Sequence, residues 1–556
     1  MTIARSAAAV LVLFLIRLFG DAGPGTALAA HSGHEDSRNA APVAATSAGP
    51  VQGEREGGVE VFRGIPYARP PVGALRFLPA RPPERWTQLR PALDFSPACP
   101  QELDLDPVEN NVQVQSEDCL SVNVWTPGLS GAKRPVMVWI HGGAFVAGTA
   151  RNTWYDGAKL ADRGDVVVVT VQYRLNAFGF LDLSQVAGPQ FADSGNLGIL
   201  DQIEALRWVK DNIAAFGGDP NNVTLFGESA GGASVAVLLV TPPARGLFNK
   251  VIIESLSPQQ GKPREPRSES ARALMQAAGA HTVAQLQSLS TRRLLEAERK
   301  AALVSAAVDQ FCPRIDGRLL TARALQMVAE GKAARVPVLI GTTLDEMDFF
   351  DAIYGYGQRL KPAALLADQI SAAFGPRAAG IQKAYITDGE GTRGDRIIAL
   401  NSDLIFRIPS IRLAEATSQS QPTWMYRFTY RSTSTYRPYR AAHAMELPFV
   451  FGHLDTQDAI NYTGRDPDRE RLSQQMQDAW LAFARTGDPN APGLPRWPRY
   501  DIHRRATMEF GKVTGLVNDP AGAQRRAWDG LPFDDHLPDP GRYMQLMLSN
   551  GTDRDW

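Results

Sequence analysis

The chain has 556 residues, and 44% of them are hydrophobic, which is enough for a large buried core. Its 58 Lys and Arg residues nearly balance its 59 Asp and Glu residues, so its charge gives no reason to expect nucleic acid or an anionic membrane surface as a partner. The three cysteines form no C-x-x-C motif and no His/Cys cluster with zinc spacing, so the sequence predicts no metal site.

The N-terminal segment has the pattern of an export signal. A positive charge at Arg5 precedes an apolar run over residues 7–16, and residues 27–29 (Ala-Leu-Ala) offer a small-residue cleavage site. The run is too short to span a bilayer, and Arg17 interrupts it. We predict a signal peptide over residues 1–29, a periplasmic or secreted protein, and no membrane span in the mature chain. An uncleaved amphipathic N-terminus is the alternative.

Composition divides the rest of the chain into three parts. Residues 30–48 are rich in Ala, Ser, Gly and His and predict a flexible leader. Residues 49–535 carry strand and helix patterns that predict one globular domain. Residues 536–556 form a polar tail.

Cys99 and Cys119 bracket a polar segment. In an exported protein this arrangement predicts a disulfide that closes a surface loop, worth about 3 kcal/mol in the chain-entropy description. Two buried thiols are the alternative. Cys312 is then left over and is expected to be a small core residue.

Apolar segments typical of buried strands alternate with helical patterns in the central part of the chain. Residues 197–216 have apolar side chains at helical spacing and end at a Gly-Gly-Asp-Pro stop. This alternation predicts an α/β fold with a mostly parallel central sheet and helices on both faces. The predicted strands include residues 135–140, 166–171, 223–226, 251–253, 336–340 and 423–430.

The strand at residues 223–226 runs directly into Gly-Glu-Ser-Ala-Gly at residues 227–231, and a helix-prone segment follows. A serine on so sharp a strand-to-helix turn has a strained backbone and an exposed Oγ. Gly227 and Gly231 fit because a Cβ at either position would collide with neighbouring backbone. The pattern predicts Ser229 as a nucleophile, and an incidental serine in a glycine-rich turn is the alternative.

A serine hydroxyl is a weak nucleophile until a base takes its proton. With this turn, the chain order is Ser, then the acid, then His. Four histidines come late enough, namely His443, His453, His503 and His536. We favour His443, because it lies in a loop after a predicted strand, whereas His453 follows an apolar segment and suits a structural role.

The acid that orients the imidazole should follow a strand. Asp345 and Glu346 both follow the predicted strand at residues 336–340, and position alone barely separates them. An oxyanion hole requires backbone N–H groups, and Ala230 supplies one. The loop His-Gly-Gly-Ala-Phe at residues 141–145 can supply more, because its glycines allow close approach of the backbone to a substrate.

Taken together, these motifs resemble the type-B carboxylesterase and cholinesterase family, whose members have the α/β-hydrolase fold. The similarity extends over about residues 49–532. The matching stretches are residues 64–68 (Gly-Ile-Pro-Tyr-Ala), 117–124, 141–145, 195–198 (Gly-Asn-Leu-Gly), 216–220 and 226–232.

The resemblance implies a triad of Ser229, Glu346 and His443. It favours Glu346 over Asp345, because the family places its acid in a Gly-x-x-x-x-Glu pattern, which residues 341–346 match. It also implies oxyanion donors at Gly143, Ala144 and Ala230, a first disulfide between Cys99 and Cys119, and no cofactor.

Departures from the family pattern bear on the substrate. Cholinesterases hold a quaternary ammonium over a Trp between those cysteines, but residues 100–118 contain no aromatic side chain here. Residues 307–309 (Ala-Val-Asp) stand where cholinesterases narrow the acyl pocket with Phe. Ala144 replaces a glycine common in the animal enzymes and crowds the pocket by one methyl group.

The sequence thus predicts a serine carboxylic-ester hydrolase that acts on a small, non-choline ester through an acyl-enzyme. A different acyl-transfer hydrolase, such as an amidase, a carbamate hydrolase or a lipase, is one alternative. A non-catalytic binding protein on the same fold is the other.

Overall fold

An eleven-stranded sheet forms the centre of the protein in the computed structural model. The structure describes residues 40–531 except 103–111, 113, 258–260, 264–267, 303–310, 355–367, 369, 372–373, 388, 390 and 437–438. The predicted signal peptide and C-terminal tail lie outside the described residues. The described residues from Ala41 to Leu531 belong to one compact unit.

The strands are β1 (Val43–Ala45), β2 (Pro50–Gln52), β3 (Glu54–Glu56), β4 (Val59–Pro66), β5 (Arg90–Pro91), β6 (Ser121–Thr126), β7 (Arg134–Ile140), β8 (Val167–Val171), β9 (Gly218–Glu228), β10 (Lys250–Glu254), β11 (Lys262–Pro263), β12 (Arg314–Ile315), β13 (Val338–Thr343), β14 (Thr423–Phe428), β15 (Ala506–Phe510) and β16 (Gly515–Asn518). The large sheet has the order β16-β15-β14-β13-β10-β9-β7-β8-β6-β4-β3. Neighbouring strands are parallel from β15 through β8 and antiparallel beyond them on both sides.

The α-helices are α1 (Ala158–Gly164), α2 (Asn176–Phe180), α3 (Leu197–Asn212), α4 (Ala230–Val240), α5 (Glu269–Ala278), α6 (Val283–Ser288), α7 (Thr291–Ala302), α8 (Ala324–Ala329), α9 (Met347–Tyr354), α10 (Ala378–Gln382), α11 (Arg393–Ser402), α12 (Ile408–Thr417), α13 (Leu447–Phe451), α14 (Gln457–Thr463), α15 (Asp468–Thr486) and α16 (Gly522–Ala527). Two π-helical turns, Lys383–Thr387 and Asp403–Arg407, adjoin α10 and α12. Among the described residues, no helix is long and apolar enough to cross a membrane.

The sheet separates two hydrophobic cores, because successive side chains of a strand point to opposite faces. In β7, Val136 and Val138 pack into the core that contains α4, while Met137 and Trp139 pack into the core that contains α15. Both faces are covered by helices, which is the expected α/β-hydrolase architecture. The continuous apolar strands in the sequence follow from this burial on both faces.

The strand predictions for the central sheet agree with the structure. The predicted helix at residues 197–216 is α3 followed by a 3-10 turn, and it ends at Gly217, whose φ of 79° is the left-handed conformation of a helix stop. Strand β1 lies within residues 30–48, so regular structure begins before the end of the segment expected to be a leader.

The predicted disulfide between Cys99 and Cys119 is present, with 5.2 Å between the two Cα atoms, and Cys312 is buried as expected. The bridged segment is attached to the core through Gln101. The Gln101 side chain accepts a hydrogen bond from the backbone N–H of Gly148 and donates one to the carbonyl oxygen of Gly148, each at 2.9 Å.

Gly341 in β13 allows the ring of Tyr426 in β14 to lie across the strand. A Cβ at Gly341 would lie 2.3 Å from that ring, whereas a Cβ at Gly515 in β16 would meet nothing within 4 Å. We expect Gly341→Ala to lower the free energy of unfolding by about 1–3 kcal/mol through overpacking. Gly515→Ala is the matched control and should change it by less than about 0.5 kcal/mol. Urea unfolding of both variants measures this, and equal stabilities would contradict the assigned contact.

Candidate active site

Ser229 lies on the turn between β9 and α4, and its backbone is in a conformation that non-glycine residues rarely adopt. Its φ is 57° and its ψ is −118°. The turn is held at both ends: the Ser229 N–H donates to the Glu254 carbonyl at 3.0 Å, and the Ser229 carbonyl accepts from Ala233 N–H at 2.8 Å. Such strain persists only where the surroundings impose it, and it is common at catalytic positions.

The glycines on both sides of Ser229 are required by close backbone packing. A Cβ at Gly231 would lie 2.1 Å from the carbonyl oxygen of Ile140, and a Cβ at Gly227 would lie 2.7 Å from the same oxygen. The β7 strand therefore approaches the turn so closely that neither position can carry a side chain. This close approach confirms the expectation from the sequence that a Cβ at Gly227 or Gly231 would collide with neighbouring backbone.

Glu346 holds the imidazole of His443. Its Oε2 atom lies 2.5 Å from Nδ1 of His443, and both residues are buried. The other oxygen, Oε1, accepts hydrogen bonds from Ser255 Oγ at 2.7 Å and from the Thr343 N–H at 2.8 Å. The structure therefore brings Glu346 to the histidine. The neighbouring Asp345 is tied instead through its backbone N–H to the Ala441 carbonyl at 2.8 Å.

The ring of His443 is fixed by aromatic packing as well as by Glu346. Ring centroids of Phe406, Phe350 and Phe349 lie 4.7, 5.2 and 6.0 Å from the imidazole. The His443 carbonyl accepts a hydrogen bond from the Tyr462 hydroxyl. These contacts leave the imidazole little freedom, so Nε2 points away from Glu346 toward the end of β9.

Glu228 is a site residue that the sequence analysis did not assign. Its Oε1 atom lies 3.1 Å from Nε2 of His443. A Cβ on Gly142 would lie 2.9 Å from Glu228 Oε2 and 3.2 Å from the Cβ of Ser229, so these three residues meet at one point. The available signal was an acidic residue directly before the nucleophile in the Gly-Glu-Ser-Ala-Gly turn.

The loop after β7 is wound tightly toward the same point. Gly143, Ala144 and Phe145 have φ values of 95°, 54° and 65°. The loop is closed by bonds from the N–H groups of residues 146 and 147 to the Gly143 carbonyl, at 2.9 and 2.8 Å. Three successive residues with positive φ give this loop a backbone path that non-glycine residues rarely adopt, which is common at functional sites.

Ala230 is the first residue of α4, where backbone N–H groups have no acceptor within the helix. It directly follows Ser229, and the loop after β7 approaches the same turn at Gly142, where an added Cβ would lie 3.2 Å from the Cβ of Ser229. The structure thus brings Glu346 to His443, and brings Glu228, the residue before Ser229, to the other side of the same imidazole. Among the described residues, no group of His, Cys, Asp and Glu could hold a metal ion.

The remaining histidines have other surroundings. Nε2 of His453 donates to the Asp156 carbonyl at 2.8 Å, which agrees with the structural role expected for it. His503 is exposed, and His536 lies outside the described residues. His141 is fully buried, stacks on Tyr173 with 4.4 Å between ring centroids, and donates through Nδ1 to the Gly142 carbonyl at 2.9 Å.

The comparisons with known proteins agree with this geometry. A family model described as the carboxylesterase family matches residues 40–528. The chain belongs to the carboxylesterase family. This carboxylesterase is therefore a serine hydrolase of carboxylic esters.

This chain is 40% identical over 500 residues to the para-nitrobenzyl esterase of Bacillus subtilis (strain 168). The alignment covers 87% of this chain and 98% of that protein. It is 34% identical to the phenmedipham hydrolase of Pseudarthrobacter oxydans, covering 84% of this chain and 95% of that protein. A crystal structure of a Geobacillus stearothermophilus carboxylesterase matches with a TM-score of 0.78 and 39% identity, covering 88% of this chain and all of that one.

Burial lowers the pKa of His141 to about 4, because the imidazolium would lose its hydration in these surroundings. The unfolded chain binds this proton near pH 6.5, so the contribution of neutral His141 is complete above that pH and is lost as pH falls toward 4. We expect this one residue to remove up to about 3 kcal/mol of stability over that interval.

His141→Gln should therefore make the free energy of unfolding less dependent on pH between 7 and 4. His503→Gln, at an exposed histidine, is the matched control and should leave the dependence unchanged. Urea unfolding at several pH values measures both. An unchanged pH dependence in His141→Gln would assign the acid sensitivity to other groups.

Proposed function

We propose that this carboxylesterase forms an acyl-enzyme on Ser229, with His443 as the base and Glu346 as the acid that orients it. The observation that carries the proposal is the 2.5 Å contact between Glu346 and His443, beside a serine whose φ is 57°. A buried carboxylate at Nδ1 keeps the proton on that nitrogen, so Nε2 has a lone pair to accept the serine proton.

In the first half of the reaction, Ser229 Oγ attacks the ester carbonyl while Nε2 of His443 takes its proton. The tetrahedral intermediate collapses when the same nitrogen returns the proton to the leaving alcohol. Water then repeats both steps on the acyl-enzyme, and the carboxylic acid leaves. Every proton is exchanged through one imidazole, which explains why its ring is held so firmly.

The intermediate carries a negative charge on the former carbonyl oxygen. Backbone N–H groups of Gly143, Ala144 and Ala230 are our proposed donors to it. Donors fixed by the tight loop and by the start of α4 need no reorganisation when the charge forms, and one such donor is worth about 100-fold or more in turnover.

Glu228 supplies a second negative charge to the catalytic histidine. When Nε2 becomes protonated, the Glu228 carboxylate at 3.1 Å stabilises the imidazolium from the side opposite to Glu346. This contact has to give way as Nε2 turns to the serine or the leaving alcohol. We propose that Glu228 assists the proton transfer without itself accepting the serine proton.

We propose an uncharged or weakly polar ester as the substrate. Residues 100–118 contain no aromatic face for a quaternary ammonium, and residues 307–309 lack the Phe side chains of a narrow acyl pocket. The named activities of the relatives, such as that of the para-nitrobenzyl esterase, belong to those proteins and support an ester of similar size. No observation in the structure favours an amide substrate, or a substrate at a lipid interface, over such an ester.

We also propose that the enzyme is exported after removal of residues 1–29. The apolar run followed by Ala-Leu-Ala supports cleavage there, and the Cys99–Cys119 disulfide suits an oxidising compartment. The mature enzyme would then comprise residues 30–48, the hydrolase domain at 49–535 and the tail at 536–556. N-terminal sequencing of the exported protein would locate the cleavage site.

Replacement of the triad tests the mechanism. We expect Ser229→Ala and Glu346→Gln each to lower kcat on p-nitrophenyl esters by about 10³-fold or more, the first by loss of the nucleophile and the second by loss of the correct tautomer. Asp345→Asn is the matched control for the acid, and it should stay within tenfold of the parent enzyme.

An organophosphate such as paraoxon should form a covalent adduct on Ser229 that mass spectrometry can locate. The control is the Ser229→Ala variant, which should carry no adduct. An adduct on another residue, or full activity of Ser229→Ala, would refute the assignment of the nucleophile.

Substrate charge provides a separate test. A choline ester and its uncharged carbon isostere, the 3,3-dimethylbutyl ester, should have kcat/KM values within about tenfold of each other. A cation–π site worth about 2 kcal/mol would instead favour the cation by about 30-fold. Steady-state rates on the two esters decide the point, and a strong preference for choline would mean that aromatic side chains elsewhere form such a site.

A further inference from the structure

Two buried amide side chains, those of Gln101 and Asn176, bind the loop after β7 and have no part in the mechanism above. Each residue is only 3% exposed. The Gln101 amide accepts from the Gly148 N–H and donates to the Gly148 carbonyl, each at 2.9 Å. Nδ2 of Asn176 donates to the Val146 carbonyl at 2.9 Å, and the Asn176 backbone N–H donates to the Phe145 carbonyl at 2.9 Å. The second half of the loop is therefore fixed through its backbone groups.

The same two amides connect the loop to the segment that the disulfide closes. Nε2 of Gln101 donates to the Cys99 carbonyl at 3.0 Å. Nδ2 of Asn176 donates to the Pro100 carbonyl at 3.0 Å. An amide nitrogen carries two hydrogens, so each side chain uses one for the loop and one for this segment. Because Cys99 is bridged to Cys119, the loop is bonded to a part of the chain that is itself covalently closed.

The orientation of the proposed oxyanion donors depends on the carbonyl groups beside them. In a planar trans peptide the C=O and the N–H point in opposite directions. The direction of the Gly143 N–H is therefore set by the Gly142 carbonyl, and that of the Ala144 N–H by the Gly143 carbonyl. The Gly142 carbonyl accepts from Nδ1 of His141 at 2.9 Å. The Gly143 carbonyl accepts from the N–H groups of residues 146 and 147.

Gln101 acts next to the first of these carbonyls. Gly148, which the Gln101 amide binds, has a φ of 103° and lies against the Gly142 carbonyl. A Cβ at Gly148 would lie 2.6 Å from that oxygen and 2.6 Å from Nδ1 of His141. Displacement of Gly148 would therefore open space for the peptide between residues 142 and 143 to rotate, and the Gly143 N–H would turn with it.

Asn176 acts next to the second carbonyl. The Val146 N–H is one of the two donors to the Gly143 carbonyl, at 2.9 Å, while the Val146 carbonyl is bound by Asn176. Asn176 itself has a φ of 55°, a conformation that persists in a non-glycine residue only where its surroundings impose it. Loss of the Asn176 side chain would therefore release Val146, and with it the peptide that carries the Ala144 N–H.

We propose that Gln101 and Asn176 are positioning residues for the oxyanion hole, which keep the N–H groups of Gly143 and Ala144 directed at the ester carbonyl oxygen. The inference rests on the proposed role of those two groups as donors. A rotated peptide would remove a donor and present a carbonyl oxygen to the developing negative charge, which is unfavourable. The two amides are bonded to the backbone of the loop, and they act on the reaction only through it.

Two substitutions remove the amides and keep the backbone conformation accessible. Gln101→Met has a similar length without the amide, and Asn176→Gly suits a φ of 55°. We expect each to lower kcat on p-nitrophenyl esters by about 10- to 100-fold, since one oxyanion donor is worth about 100-fold or more. KM should stay within about threefold, because the hole stabilises the transition state more than the bound ester. Paraoxon titration of Ser229 gives the concentration of folded sites, so that kcat refers to these alone.

Gln421→Met is the matched control. Gln421 is also buried and accepts a hydrogen bond from the Val336 N–H at 3.1 Å. It precedes β14, whereas the catalytic histidine follows that strand, so Gln421 lies at the other end of the sheet. Its substitution should lower the melting temperature and leave kcat unchanged.

A trifluoromethyl ketone tests the hole directly. Ser229 Oγ adds to its carbonyl carbon, His443 takes the serine proton, and the carbonyl oxygen becomes an oxyanion like that of the intermediate. Its inhibition constant should rise in each variant by about the same factor as kcat/KM falls. The corresponding methyl ketone binds largely as the uncharged carbonyl, so its inhibition constant should change little. A purely structural role would lower the melting temperature without changing the ratio of the two constants.

Other outcomes overturn the proposal. An unchanged kcat in both variants, an equal loss in Gln421→Met, or an unchanged ratio of the two inhibition constants would each mean that the amides do not position the donors. An unchanged kcat in one variant would remove that residue alone, and either variant suffices if the other does not fold. Failure of the proposed function is distinct, because the parent enzyme would then bind both ketones equally or Ser229→Ala would remain active.

Discussion

The contact between Glu346 and His443 joins two loops that are far apart in sequence, and most of the site depends on it. Glu346 follows β13 and His443 follows β14, and these strands are neighbours in parallel register. Because carboxyl ends of parallel strands meet at one edge of a sheet, both residues arrive beside the turn after β9. The Ser255 and Thr343 hydrogen bonds then fix the carboxylate, so the imidazole orientation follows from the sheet itself.

Several acidic side chains lie at the same edge of the sheet, and their surroundings differ. Glu346 is surrounded by hydrogen-bond donors from Ser255, Thr343 and His443. Glu254 accepts a hydrogen bond from the Trp480 indole, and burial raises the pKa of both Glu254 and Glu446. Identical side chains in one buried region thus have different hydrogen-bonding surroundings.

The sequence predicted the strands of the central sheet, the nucleophile turn and the glycines around it, because these features depend on residues close together in the chain. Local position could not separate Glu346 from Asp345, since the distinction arises from which side chain reaches His443, 97 residues away. Glu228 was missed for the same reason, as its contact with the histidine is made only when β9 and the His443 loop meet. Gly341 was noticed as part of a pattern, but its physical cause, the Tyr426 ring across β13, appears only in the folded sheet.

Some residues of the site are buried and others are exposed, and this difference explains why the type of reaction is easier to infer than the substrate. Ser229, Glu346 and His443 are all buried and held by backbone contacts, so their geometry tolerates little variation. Ala144 is exposed in the loop after β7, which we propose as part of the oxyanion hole. A larger side chain there would reduce the space beside the proposed site, and the φ of 54° limits which residues fit. Substitutions at such exposed positions can therefore alter the space for substrate while the buried contact between Glu346 and His443 is kept.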